Sequence, residues 1–204
     1  SDSLIVSYEN GWYEWKGITP LEDASWKPFN LPYGCAAPDS LVLTPYSFTF
    51  LAKEGLYTVS ASILSSEAIL IQGKDIISKI NENQVEKAIR SIKDMSICKG
   101  IFYNNVYYLA YNTDGVTNDR ILKYEFDTKS FTFVTGWQVN GWLSDPENLF
   151  FLSKNYLLKA NDGYSDIDVE TGLVKPIKYH VLTKEYSLGN PLSQKVVQFI
   201  GFIF

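Results

Sequence analysis

The chain has 204 residues, enough for one domain or two small ones with a sizeable core. With 46% hydrophobic and 20% charged residues it is not a disordered chain. Its net charge of -5 lacks the basic footprint that binding to nucleic acid or an anionic membrane requires, and no stretch approaches the roughly 20 apolar residues of a membrane-spanning helix.

Aromatic residues stand out at 15%, with 14 Tyr, 12 Phe and 5 Trp. Such side chains suit half-buried pleated surfaces, so the excess predicts an all-β protein. The chain opens on Ser1-Asp2-Ser3, without Met or a signal-peptide pattern, and closes on "FIGFIF" inside an apolar run. An apolar strand without a neighbour is a sticky edge. We therefore expect this chain to be a piece of something longer or part of a larger assembly.

The first predicted element is a hairpin at residues 4–15, "LIVSYENGWYEW", reversing at Glu9-Asn10-Gly11. Residues 21–40, "LEDASWKPFNLPYGCAAPDS", carry Pro28, Pro32 and Pro38 and read as a long loop. A second hairpin, "FTFLAKEGLYTVS" at 48–60, reverses at Lys53-Glu54-Gly55. Residues 78–95, "SKINENQVEKAIRSIKDM", then place Ile80, Val85, Ala88, Ile89 and Ile92 near helical spacing. This predicts a helix of about three turns, capped by Asn81 or Asn83, with its apolar stripe in the core.

Strands resume with "GIFYNNVYYLAY" at 100–111, turning at Asn104-Asn105, and with a hairpin at 120–137 around Asp127-Thr128-Lys129-Ser130. "LFFLSKNYLLKA" at 149–160 turns at Lys154-Asn155, and residues 165–179 turn at Glu170-Thr171-Gly172. Aligned on Gly11, Gly55, Asn105 and Asn155, four of these hairpins recur at spacings of 44, 50 and 50 residues. Gly and Asn both tolerate the positive φ of a tight reversal, which predicts that they share one turn position. A period of several strands in roughly 40 to 50 residues is propeller-like. The expected fold is all-β with one short helix, a β-propeller-like array of about four blade units. These fall near 4–45, 46–99, 100–147 and 148–204 of a single, incomplete domain.

Residues suited to catalysis are sparse. His180 is the one histidine, in an alternating strand context, so a Ser-His-Asp triad has a single candidate base. No G-x-S-x-G, phosphate-binding loop or G-x-G-x-x-G occurs. Cys35 and Cys98 lie 63 residues apart, without C-x-x-C spacing, and read as two buried free thiols. Acidic residues cluster at Asp114 and Asp119, with Asn118 beside them, and at Asp162, Asp166, Asp168 and Glu170. Asp166 and Asp168 have the alternation of a calcium loop, but Asp, Asn and Gly are also ordinary turn residues. Glu67, Asp114 and Asp145 are scattered carboxylates with no glycosidase motif. The expectation is no enzyme, no cofactor, no metal and no catalytic residue.

Trp12, Trp15, Trp26, Trp137 and Trp142 sit in or beside hairpins. They read mainly as fillers of cores and seams. Exposed Tyr and Trp also bind sugars by stacking and anchor protein interfaces, which leaves a carbohydrate- or receptor-binding β module as the alternative function.

Several stretches taken together resemble a β-propeller family among bacteriophage virion proteins of the tail or neck. They are "GITPLEDASWKPFNLPYGCAAPDSLVLTPYSFTFLAKEGLYTVS", "IISKINENQVEKAIRSIKD", "GIFYNNVYYLAYNTDGVTNDRILKYEFDTKSFTF" and "HVLTKEYSLGNPLSQKVVQFIGF", in order over residues 17–202. The last includes the closing pattern T-K-x-Y-x-L-G-x-P-x-x-x-K from Thr183 to Lys195. The resemblance implies a non-enzymatic structural subunit located in the virion. It would pack in a ring or plug and contact other virion proteins or copies of itself; a host-surface glycan has no support of its own. No catalytic residue carries over. Four blade units are fewer than the about six or seven that close a ring comfortably.

Overall fold

Two-residue reversals and strands apolar on both faces dominate the architecture. A computed structural model of the chain describes residues 3–16, 25–29, 31, 33–45, 47–60, 77–79, 83–160, 165–168 and 170–176. Two compact units divide the chain, Ser1–Asp162 and Gly163–Phe204. The protein is all-β, with one α-helix and one short 3-10 turn among the described residues.

In the first unit every sheet is an antiparallel meander of consecutive strands. The first sheet holds β1 (Ser3–Tyr8), β2 (Gly11–Lys16) and β3 (Ser25–Phe29). The second holds β4 (Val42–Leu43), β5 (Ser47–Ala52), β6 (Gly55–Ser60) and β7 (Ile77–Lys79). After α1 (Asn83–Arg90) comes the third, β8 (Lys99–Tyr103), β9 (Val106–Tyr111), β10 (Arg120–Glu125) and β11 (Ser130–Thr135). The fourth holds β12 (Gly141–Ser144), β13 (Leu149–Ser153) and β14 (Tyr156–Lys159). In the second unit, β15 (Ser165–Ile167) and β16 (Val174–Pro176) form a hairpin. The sheet boundaries differ from those of the predicted units. Val42–Leu43, ahead of residue 46, opens the second sheet, and Gly141–Ser144, ahead of residue 148, opens the fourth.

Three expectations need correction. The stretch 21–40 is not all loop, because Ser25–Phe29 pairs with β2 despite Pro28. Among the described residues β3 pairs only with β2, and an outer strand can carry a residue without an N–H. The helix spans Asn83–Arg90, two turns rather than three, because Ile77–Lys79 pairs with β6 first. Val85 and Ile89 are buried as expected, with Ala88 and Ile92 packed beside them, while Ile80 and Asn81 lie outside the described residues.

The third correction concerns the repeat. All four hairpins have two-residue loops, but Gly11 and Gly55 lie one residue past the loop, paired with Tyr8 and Ala52. Asn105 and Asn155 lie inside it. Positive φ falls on Asn104, Asn105 and Lys154, so the aligned Gly and Asn residues do not share one role. Nor are the hairpins equivalent. β8 lies beside β4 and β12, which makes these the matching first strands of their sheets. On that basis β5–β6 and β13–β14 are second and third strands, whereas β8–β9 are first and second. A two-residue reversal has the same chemistry between any neighbours of a meander, so it does not number the strands it joins.

The core lies between the sheets, stacked in chain order. Trp12 of the first sheet packs against Phe48, Phe50, Ala52, Tyr57 and Val59 of the second. Leu51 and Leu56, on the second sheet's other face, join α1 and Tyr107, Leu109, Tyr111 and Leu122 of the third. The third sheet's opposite face gives Tyr108, Ala110 and Ile121, which meet Leu149 and Phe151 of the fourth. The inner sheets are covered on both faces. This explains why β5 and β9 read as nearly unbroken apolar runs rather than as an alternation.

Candidate functional site

The acids come first. Asp114 Oδ1 accepts from the Val116 and Thr117 N–H groups at 2.7 and 2.8 Å, and Oδ2 accepts from Thr117 Oγ1 at 2.7 Å. Asp145 Oδ1 likewise accepts from the N–H groups of Glu147 and Asn148 at 2.8 and 2.7 Å. Asp168 Oδ1 takes those of Glu170 and Thr171, both at 3.1 Å, with Lys175 Nζ on Oδ2 at 3.2 Å. Each carboxylate closes its own turn, helped by positive φ at Gly115 and Gly172. Among the described residues no group of three or more His, Cys, Asp or Glu is arranged to hold a metal ion. Glu67, Asp162 and His180 lie outside the described residues, as does the Asp166 side chain.

These bonds carry a pH consequence. Donation from the Thr117 and Val116 N–H groups holds the Asp114 carboxyl down at about 2, against about 3.9 for a free aspartate. A depressed folded value means that the ionised group stabilises the fold above about pH 4, and that this contribution is lost as pH falls through 2. Asp114→Asn keeps an acceptor oxygen but does not titrate. Its urea midpoint is expected to fall less steeply between pH 4 and pH 2 than that of the wild type. Equal slopes would show that the turn carries no linkage.

Asn112 and Asn118, also in the interior, have structural partners, whereas Tyr57 Oη and Asp119 Oδ1 are buried without a hydrogen-bond partner among the described residues. Asn112 Oδ1 accepts the Asp94 N–H at 3.0 Å and its Nδ2 donates to the Asp94 carbonyl at 2.6 Å, the pairing a strand neighbour would offer. Asn118 is buried rather than part of an acidic patch, and its Nδ2 donates to the carbonyls of Ile97 and Val139. Asp119 pairs with Arg120 Nε at 3.5 Å. Cys35 and Cys98 are both free and buried, and burial raises the Cys98 thiol to about 12. A thiol held protonated is a poor nucleophile.

The tryptophans divide. Trp12 is core, its Nε1 donating to the Tyr33 carbonyl at 2.7 Å. Trp137 stacks on Phe151 at 4.8 Å, and Trp142 Nε1 donates to the Lys99 carbonyl at 3.1 Å. Trp15 and Trp26 lie on the opposite face of the first sheet, away from its core. Cross-strand pairing sets Leu4, Trp15 and Trp26 in one row of that face and Val6, Tyr13 and Pro28 in the next, with Tyr8 beyond. Leu4, Tyr8 and Trp26 are 55%, 54% and 53% exposed. No charged side chain interrupts these rows. The rings of Tyr8 and Tyr13 stand at 89°, 5.5 Å apart, so those two do not form one flat stacking platform.

The fourth sheet carries a second such face. Away from Trp142, Phe151 and Leu158, it sets Leu143 beside Phe150 and Lys159, and Gly141 beside Leu152 and Leu157. Leu143 and Leu157 are 55% and 54% exposed. Sequence inspection picked out the tryptophans but not these faces, because alternation alone does not say which side of a strand a neighbour covers. Mainly apolar faces of this kind suit contact with another protein surface. No protein-family model matches this chain, and no curated protein matches it.

Proposed function

We propose that this protein is a non-enzymatic structural component of a phage tail or neck, acting through contacts of its sheet faces with other virion proteins or with copies of itself. The observation that carries this reading is the first sheet's outer face, with Leu4, Tyr8 and Trp26 open to solvent and no charge among its rows. Contiguous exposed apolar rows of this kind mark interaction surfaces. Meander sheets stacked in chain order, with β4, β8 and β12 side by side, also suit propeller blades. On that reading the first unit contributes four blades, the first and last with three described strands each. The virion location rests on the resemblance over residues 17–202.

Sequencing the genes flanking the coding region tests this directly. Portal, tape-measure or tail genes are the expected neighbours, and a metabolic operon around it would overturn the reading.

A further inference from the structure

The three internal interfaces of the first unit share one rule: the later face of each sheet packs on the earlier face of the next. Among the described residues of the first unit, two faces are left over by that rule, the earlier face of the first sheet and the later face of the fourth. They differ in kind. The first is aromatic, led by Trp15, Trp26 and Tyr13, and the other is mainly aliphatic, led by Leu143, Leu152 and Leu157. Lys159 lies in its rows as well.

We infer that the partner of each face is the other face on a second copy of this chain, so that copies continue the stack head to tail. This rests on the reading that the protein assembles through its sheet faces, and it adds the occupant and the orientation. A copy set down by the same face-to-face step that relates successive sheets brings an aromatic face onto an aliphatic one. The internal cores mix the two kinds, as where Trp12 packs on Phe48 and Phe50 and beside Val59 and Ala52. A two-fold pairing would instead set each face against itself. A head-to-tail interface leaves one face free at each end, so it builds a ring or an open filament.

Charge placed on either face separates these cases. Trp26→Lys and Leu157→Lys alter half-exposed positions, and Leu4→Lys and Leu143→Lys provide a second pair. Matching circular dichroism and thermal melting identify the folded variants. In sedimentation velocity at high protein concentration the wild type is expected to form oligomers. Each variant alone is expected to sediment as a monomer. An equimolar mixture of Trp26→Lys with Leu157→Lys is expected to regain a dimer of one copy each, because one intact interface survives between them. The inference falls if the wild type is monomeric, if either variant alone assembles as the wild type does, or if the mixture stays monomeric. A dimer of Leu157→Lys alone beside a monomeric Trp26→Lys would mean two-fold pairing of the aromatic faces. That outcome overturns the head-to-tail arrangement while leaving assembly through sheet faces standing.

Discussion

Gly34→Ala is expected to destabilise the first unit by about 3 kcal/mol, at the upper end of what overpacking costs. A Cβ at residue 34 would press on the carbonyl oxygen of Tyr8 and on the carbonyl group of Glu9, closer than side-chain carbons approach backbone. Those atoms belong to the β1–β2 reversal and cannot turn aside as a flexible side chain would. The segment is also pinned on both sides. Cys35 N–H donates to the Tyr8 carbonyl and Ala36 N–H to the Leu51 carbonyl, both at 2.9 Å, while the Tyr33 carbonyl accepts from Trp12 Nε1. Relief of the clash would break the bridge between the first and second sheets. The urea midpoint reads the effect. The same change at Gly141, where the nearest atom is Leu152 Cδ1 at 3.9 Å, is expected to leave the midpoint nearly unchanged. Equal effects at both positions would show that close approach is not what requires glycine at residue 34.

Phe50→Ala is expected to cost about 4 kcal/mol, a large share of the about 5 to 15 kcal/mol that holds a domain folded. Phe50 is fully buried in the middle of β5, with Trp12 edge-on at 4.9 Å and Tyr57 and Phe48 stacked at 6.0 and 6.1 Å. Truncation removes the ring that joins the first sheet's tryptophan to the second sheet and leaves a cavity between aromatic side chains too large to close over it. Phe133→Ala on β11, where the ring is 37% exposed, is expected to cost under about 1 kcal/mol. Comparable losses at the two positions would mean that the first two sheets are not held together by this cluster.

Local sequence encodes some features of this fold and leaves others to packing, for a physical reason. Strand content was legible because aromatic and β-branched runs bounded by two-residue reversals have few other uses, and every predicted hairpin with described residues formed. The helix stripe of Val85 and Ile89 was legible for the same reason, since helical spacing points a fixed set of side chains one way. Its length was not, because Ile77–Lys79 carries no local mark that β6 lies ready to pair with it. Pro28 misled in the opposite direction: a proline excludes a central strand, and only the position of β3 beside β2 makes it acceptable. Asp114 and Asp168 were ambiguous between turn and metal, because both uses need an acid near a glycine. Both accept hydrogen bonds from their own loops, the turn use.

Local chemistry therefore determined that this chain is β-rich, where it reverses and which side chains seek burial, since each depends on a few neighbouring residues. The tertiary structure alone decided which strands share a sheet, which face of each sheet is covered, and hence that Leu4, Tyr8 and Trp26 stand open while Trp12, three strand positions from Trp15 on the same β2, is buried. Alternation sorts a strand into two faces, but only the neighbouring sheet makes one of them an interior. The face left without one is where an interaction surface has to be sought.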